Sequence, residues 1–83
     1  GIAMEKIKVH YFGVFAEFAQ CPSEEISLIN PTLEALLNQL SLKYGPWEQP
    51  FQVAVNKKIV NKSMATTLNP SDEVAILPPF AGG

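Results

Sequence analysis

The sequence predicts an α+β roll of two layers, in which one main helix lies on one face of a mixed sheet of about five strands. Two observations support this fold class. The chain has 83 residues, the size of one domain. Its apolar residues follow a period of two in several short segments and a helical period in one long segment. We assign residues 4–83 to this single domain and interpret residues 1–3, which precede Met4, as a cloning remnant.

The first half of the sheet is predicted from two segments with alternating polarity. The first strand covers residues 6–12 and ends at Gly13. One of its faces is apolar and the other polar, formed by Ile7, Val9 and Tyr11 and by Lys6, Lys8 and His10. Residues 14–20 are expected to form a turn or a ragged helical segment. A second strand over residues 25–29 could pair with the first as an antiparallel neighbour.

The main helix follows, and its signal is a stripe of apolar side chains at helical spacing. The stripe recurs at i, i+3, i+4, i+7 and i+11, with the residues Leu33, Leu36, Leu37, Leu40 and Tyr44. Either Asn30 or Thr32 could be the N-cap. Gly45-Pro46 is expected to end the helix.

The second half of the chain is predicted to supply three further strands. Residues 51–56 form the third strand, and a turn at residues 56–58 leads into a short fourth strand at residues 59–60. The polar stretch that follows contains Leu68 as its expected buried anchor. A turn at residues 69–72 precedes the last strand, residues 73–77.

Composition argues against several classes of protein. The net charge is −2 and all six basic residues are lysines, whereas nucleic-acid binders usually carry a basic stripe with arginines. No apolar run approaches the roughly 18 residues of a membrane span. We therefore expect a cytoplasmic protein that binds neither nucleic acid nor membrane. The single cysteine cannot form an internal disulfide.

Few residues suggest catalysis within the domain itself. His10 and Cys21 are the only histidine and cysteine, so the sequence predicts neither a metal site nor a Cys–His nucleophile. We interpret His10 as a surface residue and Cys21 as a loop thiol. Glu24 and Glu25 are adjacent on a strand and should point to opposite faces, which argues against a shared acid–base site.

The end of the sequence is unusual in composition. Pro78-Pro79 stiffens the exit from the last strand and removes two backbone donors. Phe80 is a large apolar side chain that could anchor the segment on a partner. Gly82-Gly83 lacks Cβ atoms and could pass through a narrow channel. The alternative is an ordinary frayed terminus.

Four segments together resemble the MoaD family, the small subunits of molybdopterin synthase. The most specific is residues 72–83, an Asp-Glu-Val strand that ends in Pro-Pro-x-x-Gly-Gly. Residues 9–12, 31–37 and 53–57 resemble the first strand, the helix start and the central strand of that family, in the right order. The resemblance implies the β-grasp, or ubiquitin-like, fold. The turn at residues 69–72 departs from the glycine turn common in the family.

The resemblance also implies a function as a sulfur carrier without a bound cofactor or metal. An E1-like, MoeB-like adenylyltransferase would use ATP to activate the carboxylate of Gly83, which a sulfur donor would convert to a thiocarboxylate. A MoaE-like large subunit, in a heterotetramer, would accept this sulfur on a pyranopterin precursor and supply the acid–base groups. In this scheme Gly82 and Ala81 give access, and the segment docks through Phe80, Pro79 and Pro78.

Two other classes of function stay open. One is a sulfur carrier for thiamine synthesis or for tRNA thiolation, and the other is a ubiquitin-like modifier or a plain interaction module. In the molybdopterin scheme, the large subunit and the activating enzyme would bind the body of the domain while Gly83 reaches the active site. Strand parity predicts that Val74 and Ile76 point toward the helix, whereas Phe12, Ala75 and Leu77 face away from it. Ile59 begins a short strand beside a polar turn and should be only partly covered. The expected partner-binding residues are therefore Phe12, Ile59 and Leu77, and the alternative is that a loop buries one or more of them.

Overall fold

The computed structural model describes residues 4–79, in which five strands form one mixed sheet with two helices. The predictions for residues 1–3 and 80–83 lie outside this range. In chain order the elements are β1 (Glu5–Tyr11), α1 (Val14–Ala19), β2 (Ser23–Leu28), α2 (Leu33–Tyr44), β3 (Gln52–Val55), β4 (Lys58–Val60) and β5 (Glu73–Leu77). The predicted α+β class and the order of strands and main helix are confirmed.

The last strand lies in the middle of the sheet. The strand order is β2-β1-β5-β3-β4, so β5 is bonded on both sides. It runs parallel to β1, with Tyr11 opposite Ile76, and antiparallel to β3. β3 and β4 form a hairpin whose two turn residues, Asn56 and Lys57, both have positive φ. This is the backbone geometry that suits a two-residue hairpin turn.

The core lies between one face of the sheet and the helices. Every predicted inward-facing residue of β1 and β5 is buried, as are three leucines of the predicted α2 stripe and the predicted anchor Leu68. Burial of these apolar side chains is the main stabilising contribution to the fold. These buried residues are Ile7, Val9, Tyr11, Val74, Ile76, Leu33, Leu36, Leu40 and Leu68.

The structure resolves the N-cap of α2, which the sequence left open, and confirms the predicted end of this helix at Gly45. Thr32 is the N-cap of α2, since its Oγ1 accepts a hydrogen bond from the backbone N–H of Ala35 at 3.1 Å. Gly45 ends the helix with φ of +80°. The segment after β1, predicted as a turn or a ragged helical segment, is a short helix, α1, whose residues Phe15 and Ala19 are both buried.

β2 begins two residues earlier than predicted. His10 and Val9 of β1 stand opposite Ser23 and Glu24, which extends the antiparallel ladder to Ser23. The sequence pattern missed this extension because it contains no alternation of apolar residues. Glu24 consequently lies on the core side of the sheet, in line with the buried Ile26.

Candidate functional site

The candidate site is the face of the sheet opposite α2, together with the point where the chain leaves β5. The structure places Phe12 and Ile59 on this face with 48% and 55% of their surface exposed. Leu77, on the same face, is half-buried. We use the name docking face for the surface formed by Phe12, Ile59 and Leu77 together with the two alanines between them, Ala54 and Ala75. The binding role of these three residues stays a prediction.

Two small residues form the floor of the docking face. Ala54 on β3 stands opposite Ala75 on β5, and Ile59 on β4 stands opposite Ala54. Directly opposed residues of neighbouring strands share a face. A depression of about 360 Å³ lies beside Phe12, and Ala75 is part of its lining. Its lining combines apolar and polar side chains: His10, Phe12, Asn56, Lys57, Glu73 and Ala75.

The rim of the depression is polar. His10 Nε2 lies 2.7 Å from Glu73 Oε1, so the predicted surface histidine is paired with the neighbouring strand. Asn56 links the β3–β4 turn to the start of β5, because its side chain donates to Asp72 and accepts from the backbone N–H of Glu73. The backbone N–H of Asn69 and the Asn56 amide hold the pKa of Asp72 below its usual value.

The chain leaves β5 next to the end of β1. The backbone N–H of Phe12 donates to the carbonyl of Ile76 at 3.1 Å, at the end of the parallel pairing. Pro78 is half-buried at this point, and Pro79 is exposed. Because β5 is bonded on both sides, the two prolines emerge from the centre of the sheet. The other predicted residues of this segment, Phe80, Ala81, Gly82 and Gly83, lie outside the described range.

A polar cluster on the opposite side of the sheet was not foreseen. Glu24 accepts hydrogen bonds from Tyr11 Oη at 2.6 Å, from Tyr44 Oη and from Lys43 Nζ. Burial acts to raise the pKa of Glu24, but the bonds from Lys43 and the two tyrosines outweigh it, and the pKa is lowered. Burial and the Glu24 carboxylate raise the pKa of Tyr11. The cluster joins the end of α2 to β2, and Glu25 stays exposed.

Other chemistry is sparse within residues 4–79. No group of three or more His, Cys, Asp or Glu side chains in this range could hold a metal ion. Cys21 is a half-buried free thiol. The helices of the described chain are too short or too polar to cross a membrane. The candidate functional features of the described chain are therefore the docking face and the point where the chain leaves β5.

Sequence reasoning missed the residues that give the docking face its shape. The opposition of Ala54 and Ala75 depends on the register of β3 against β5, which joins residues far apart in the chain. The proximity of Gly13 to Pro78 depends in the same way on the pairing of β1 with β5. A glycine directly after an alternating strand was the one local signal available.

Comparison with known proteins adds to this geometry. Residues 9–83 match the model of the ThiS family. The chain is 39% identical over 85 residues to the molybdopterin synthase sulfur carrier subunit of Mycobacterium tuberculosis, covering 96% of this chain and 100% of that protein.

Two solved structures share the fold. The small archaeal modifier protein 1 of Methanosarcina acetivorans matches with a TM-score of 0.74 and 25% identity, over 98% of this chain and 99% of that one. The second structure is a complex of subunits 1 and 2 of the molybdopterin-converting factor of Helicobacter pylori. A chain of this complex matches with a TM-score of 0.64 and 27% identity, over 94% of this chain and 99% of that one. The expected β-grasp, ubiquitin-like fold is confirmed.

Proposed function

The chain belongs to the ThiS family, and on this premise we propose that it is the sulfur carrier subunit of a molybdopterin synthase. The 39% identity to a carrier subunit of that name, over nearly the whole chain, supports the choice within the family. One structural observation carries the proposal. The central strand β5 directs Pro78-Pro79 out of the sheet beside an exposed apolar face. A carrier requires this arrangement if its partner binds the body of the domain while the end of the chain takes part in the reaction.

The proposed chemistry begins at the carboxylate of Gly83. A carboxylate resists nucleophiles, so an E1-like, MoeB-like enzyme first transfers AMP from ATP to it and releases pyrophosphate. A sulfur donor at the level of hydrosulfide then attacks the acyl carbon. The carbon–sulfur bond forms, the bond to the phosphate oxygen breaks, and AMP leaves with the electron pair. The product is a thiocarboxylate, and ATP use is consistent with a cytoplasmic location.

The second step delivers the sulfur. The thiocarboxylate sulfur attacks an electrophilic carbon of the cyclic pyranopterin precursor. The carbon–sulfur bond forms, a carbon–oxygen bond of the precursor breaks, and that oxygen leaves with the electron pair, so that carrier and precursor are linked as a thioester. Water then hydrolyses the thioester, leaving sulfur on the precursor and returning the Gly83 carboxylate. Repetition supplies the second sulfur of the dithiolene. We expect the acid–base groups for this step on the large subunit, because His10 and Glu73 at the rim of the docking face are paired with each other.

We propose that the large subunit and the activating enzyme both bind the docking face. Phe12 and Ile59 together expose the apolar area that a docking protein would bury. The two-subunit complex of the Helicobacter pylori relative supports a large-subunit, MoaE-like partner, which we propose binds in a heterotetramer. The same face would meet the MoeB-like activating enzyme at a different time.

A second candidate is a protein modifier. The likeness to an archaeal modifier protein favours it, since that relative has the same fold at 25% identity. In this case the Gly83 carboxylate would form an isopeptide bond with a lysine of another protein. Carriers for thiamine synthesis or tRNA thiolation would share the loading chemistry and differ only in the acceptor.

Mass spectrometry of the intact protein tests the proposal. The chain is incubated with the cognate activating enzyme, ATP and sulfide, and its mass should increase by the difference between sulfur and oxygen. The loaded chain, mixed with the large subunit and the precursor, should yield dithiolene. Omission of ATP is the first control. Deletion of Gly83, or extension beyond it, should abolish loading while circular dichroism stays unchanged.

Three results would contradict the proposal. Dithiolene formation by the variant without Gly83 would show that this carboxylate is not the carrier group. Loading followed by transfer only to a thiamine or tRNA precursor would assign another pathway. Conjugation to protein lysines without sulfur loading would assign a modifier.

A further inference from the structure

Gly13 has a backbone conformation that other residues rarely adopt. Its φ is +60° and its ψ is −134°. An L-residue with a Cβ atom is strained at such a positive φ, whereas glycine is not. The conformation turns the chain sharply from the end of β1 into α1. The turn places the backbone of Gly13 directly against the segment that leaves β5.

Pro78 occupies the space that a side chain at position 13 would need. An ideal Cβ on Gly13 would lie 3.2 Å from Pro78 Cγ and 3.7 Å from Pro78 Cδ. The first distance is tighter than ordinary van der Waals contact between carbons. The last hydrogen bond between β1 and β5 runs from Phe12 N to Ile76 O. Gly13 and Pro78 therefore meet just beyond the end of the parallel pair.

This contact acts on a residue with little conformational freedom. The ring of Pro78 fixes φ near −65°, so the direction of the chain after it depends mainly on ψ and on what the ring rests against. The ring lies on the side of Gly13 to which a Cβ would project, and Gly13 belongs to the turn between β1 and α1, two residues before the buried Phe15. The position of Pro78 at the exit from β5 therefore depends on the absence of a side chain at Gly13.

We infer that Gly13 is a positioning residue. Because Gly13 has no side chain, Pro78 can lie beside it, and this position of Pro78 orients the end of the chain, the carrier segment, toward the active site of the partner. This inference rests on the proposed function. Gly13 touches neither the sulfur nor the precursor, and it acts through Pro78. Errors of about 1 Å in the placement of reacting groups can reduce a rate by about 100-fold. The aim of the segment should therefore affect transfer more than it affects binding of the body.

The central test is Gly13→Ala, with Gly45→Ala as the matched control. Both glycines have positive φ, but a Cβ at Gly45 would meet nothing within 4 Å. Each variant is prepared as the thiocarboxylate through an intein fusion, which bypasses the activating enzyme. Single-turnover sulfur transfer is then measured at increasing concentrations of the large subunit. We expect the maximal rate of Gly13→Ala to fall by on the order of 10- to 100-fold. The half-saturating concentration should change much less, and Gly45→Ala should transfer at the wild-type rate.

Two further variants separate the contact with Pro78 from backbone strain. Pro78→Ala removes both atoms that a Cβ at position 13 would approach. In the Pro78→Ala background, Gly13→Ala should therefore lower the transfer rate no more than Gly45→Ala lowers it in the wild type. D-Alanine at position 13, introduced by chemical synthesis, suits the observed φ and ψ and points its methyl group to the other side. This variant should transfer at the wild-type rate.

Nuclear Overhauser contacts between Gly13 Hα and the Pro78 ring provide a readout that does not require function. They should be present in the wild type and in Gly45→Ala. Equal transfer rates for Gly13→Ala and Gly45→Ala would overturn the inference and leave the proposed function intact. The inference would also be overturned if Gly13→Ala lowered the transfer rate as much in the Pro78→Ala background as it does in the wild type. A wild-type chain that transfers no sulfur at all would overturn the proposed function, and with it the role of Gly13.

Discussion

Ala54 and Ala75 stand directly opposite each other on β3 and β5, on the face of the sheet that lies away from α2. Around this pair the side chains are longer, and Phe12 and Ile59 project into solvent. The centre of the docking face is therefore concave. A partner that fits it needs a protruding apolar side chain, with polar groups around it to meet the rim.

Filling the depression should weaken partner binding. Ala75→Leu places a branched side chain on the floor, and the domain should stay folded because Ala75 is only half-buried. We expect the Kd for the large subunit to rise by tenfold or more, about 1.4 kcal/mol, in isothermal titration calorimetry. Ser27→Leu, on the same face but on the edge strand β2, is the control. Tighter binding by Ala75→Leu would show that a flat apolar surface is what the partner recognises.

Charging the docking face should weaken binding to both partners. Phe12→Glu and Leu77→Glu each place a carboxylate where an apolar contact is expected, and the loss should be on the order of 2 kcal/mol or more. Leu42→Glu is the control, since Leu42 lies on α2 with 82% of its surface exposed. Affinity is measured by surface plasmon resonance on variants that circular dichroism shows to be folded. Unchanged affinity for both partners would rule out this face as the interface.

The N-cap of α2 can be tested by a pair of substitutions. Thr32→Ala removes the acceptor for the Ala35 N–H and should lower the free energy of unfolding by about 1 kcal/mol. Asn30→Ala, two residues earlier, should change it much less. Urea denaturation measures both values. A larger loss from Asn30→Ala would identify Asn30 as the residue that starts the helix.

The Glu24 cluster predicts a loss of stability in acid. The folded pKa of Glu24 lies below its ordinary value of 4.5, so the stability that the carboxylate contributes is present above pH 4.5. It should be lost as the pH falls through the folded pKa, because the unfolded state binds the proton more readily.

Urea denaturation between pH 7 and pH 3 measures this effect. Glu24→Gln should be less stable than the wild type at pH 7, and the difference should shrink in acid. Glu25→Gln, at the exposed neighbouring position, should follow the wild-type curve. A difference between Glu24→Gln and the wild type that is constant with pH would contradict the assignment.

The parts of the fold that sequence could predict are those with a local cause. The alternation of Ile7, Val9 and Tyr11 is a property of one strand, and the burial of all three follows from it. Parity along β5 likewise predicted that Val74 and Ile76 point inward. These predictions needed no knowledge of which strand pairs with which.

The parts that sequence could not predict depend on pairing across the sheet. The Glu24 cluster needs the end of α2 to return over β2, which brings Tyr44 to a carboxylate twenty residues earlier in the chain. The floor of the docking face needs the register of β3 against β5. Thr32 and Asn30 carry equally good capping side chains, and the choice between them follows from where the loop that contains Leu68 bonds to the backbone of Pro31.

The central position of β5 has a mechanical consequence. In the proposed function a partner would insert and withdraw the end of this chain and would pull along the axis of β5, which is hydrogen-bonded to β1 on one side and to β3 on the other. Tension in that direction shears both ladders at once, so many bonds must break together instead of opening one after another. The domain should therefore resist repeated pulling at its carboxyl end far better than equal force applied to the short edge strand β4, which could peel away from β3 bond by bond.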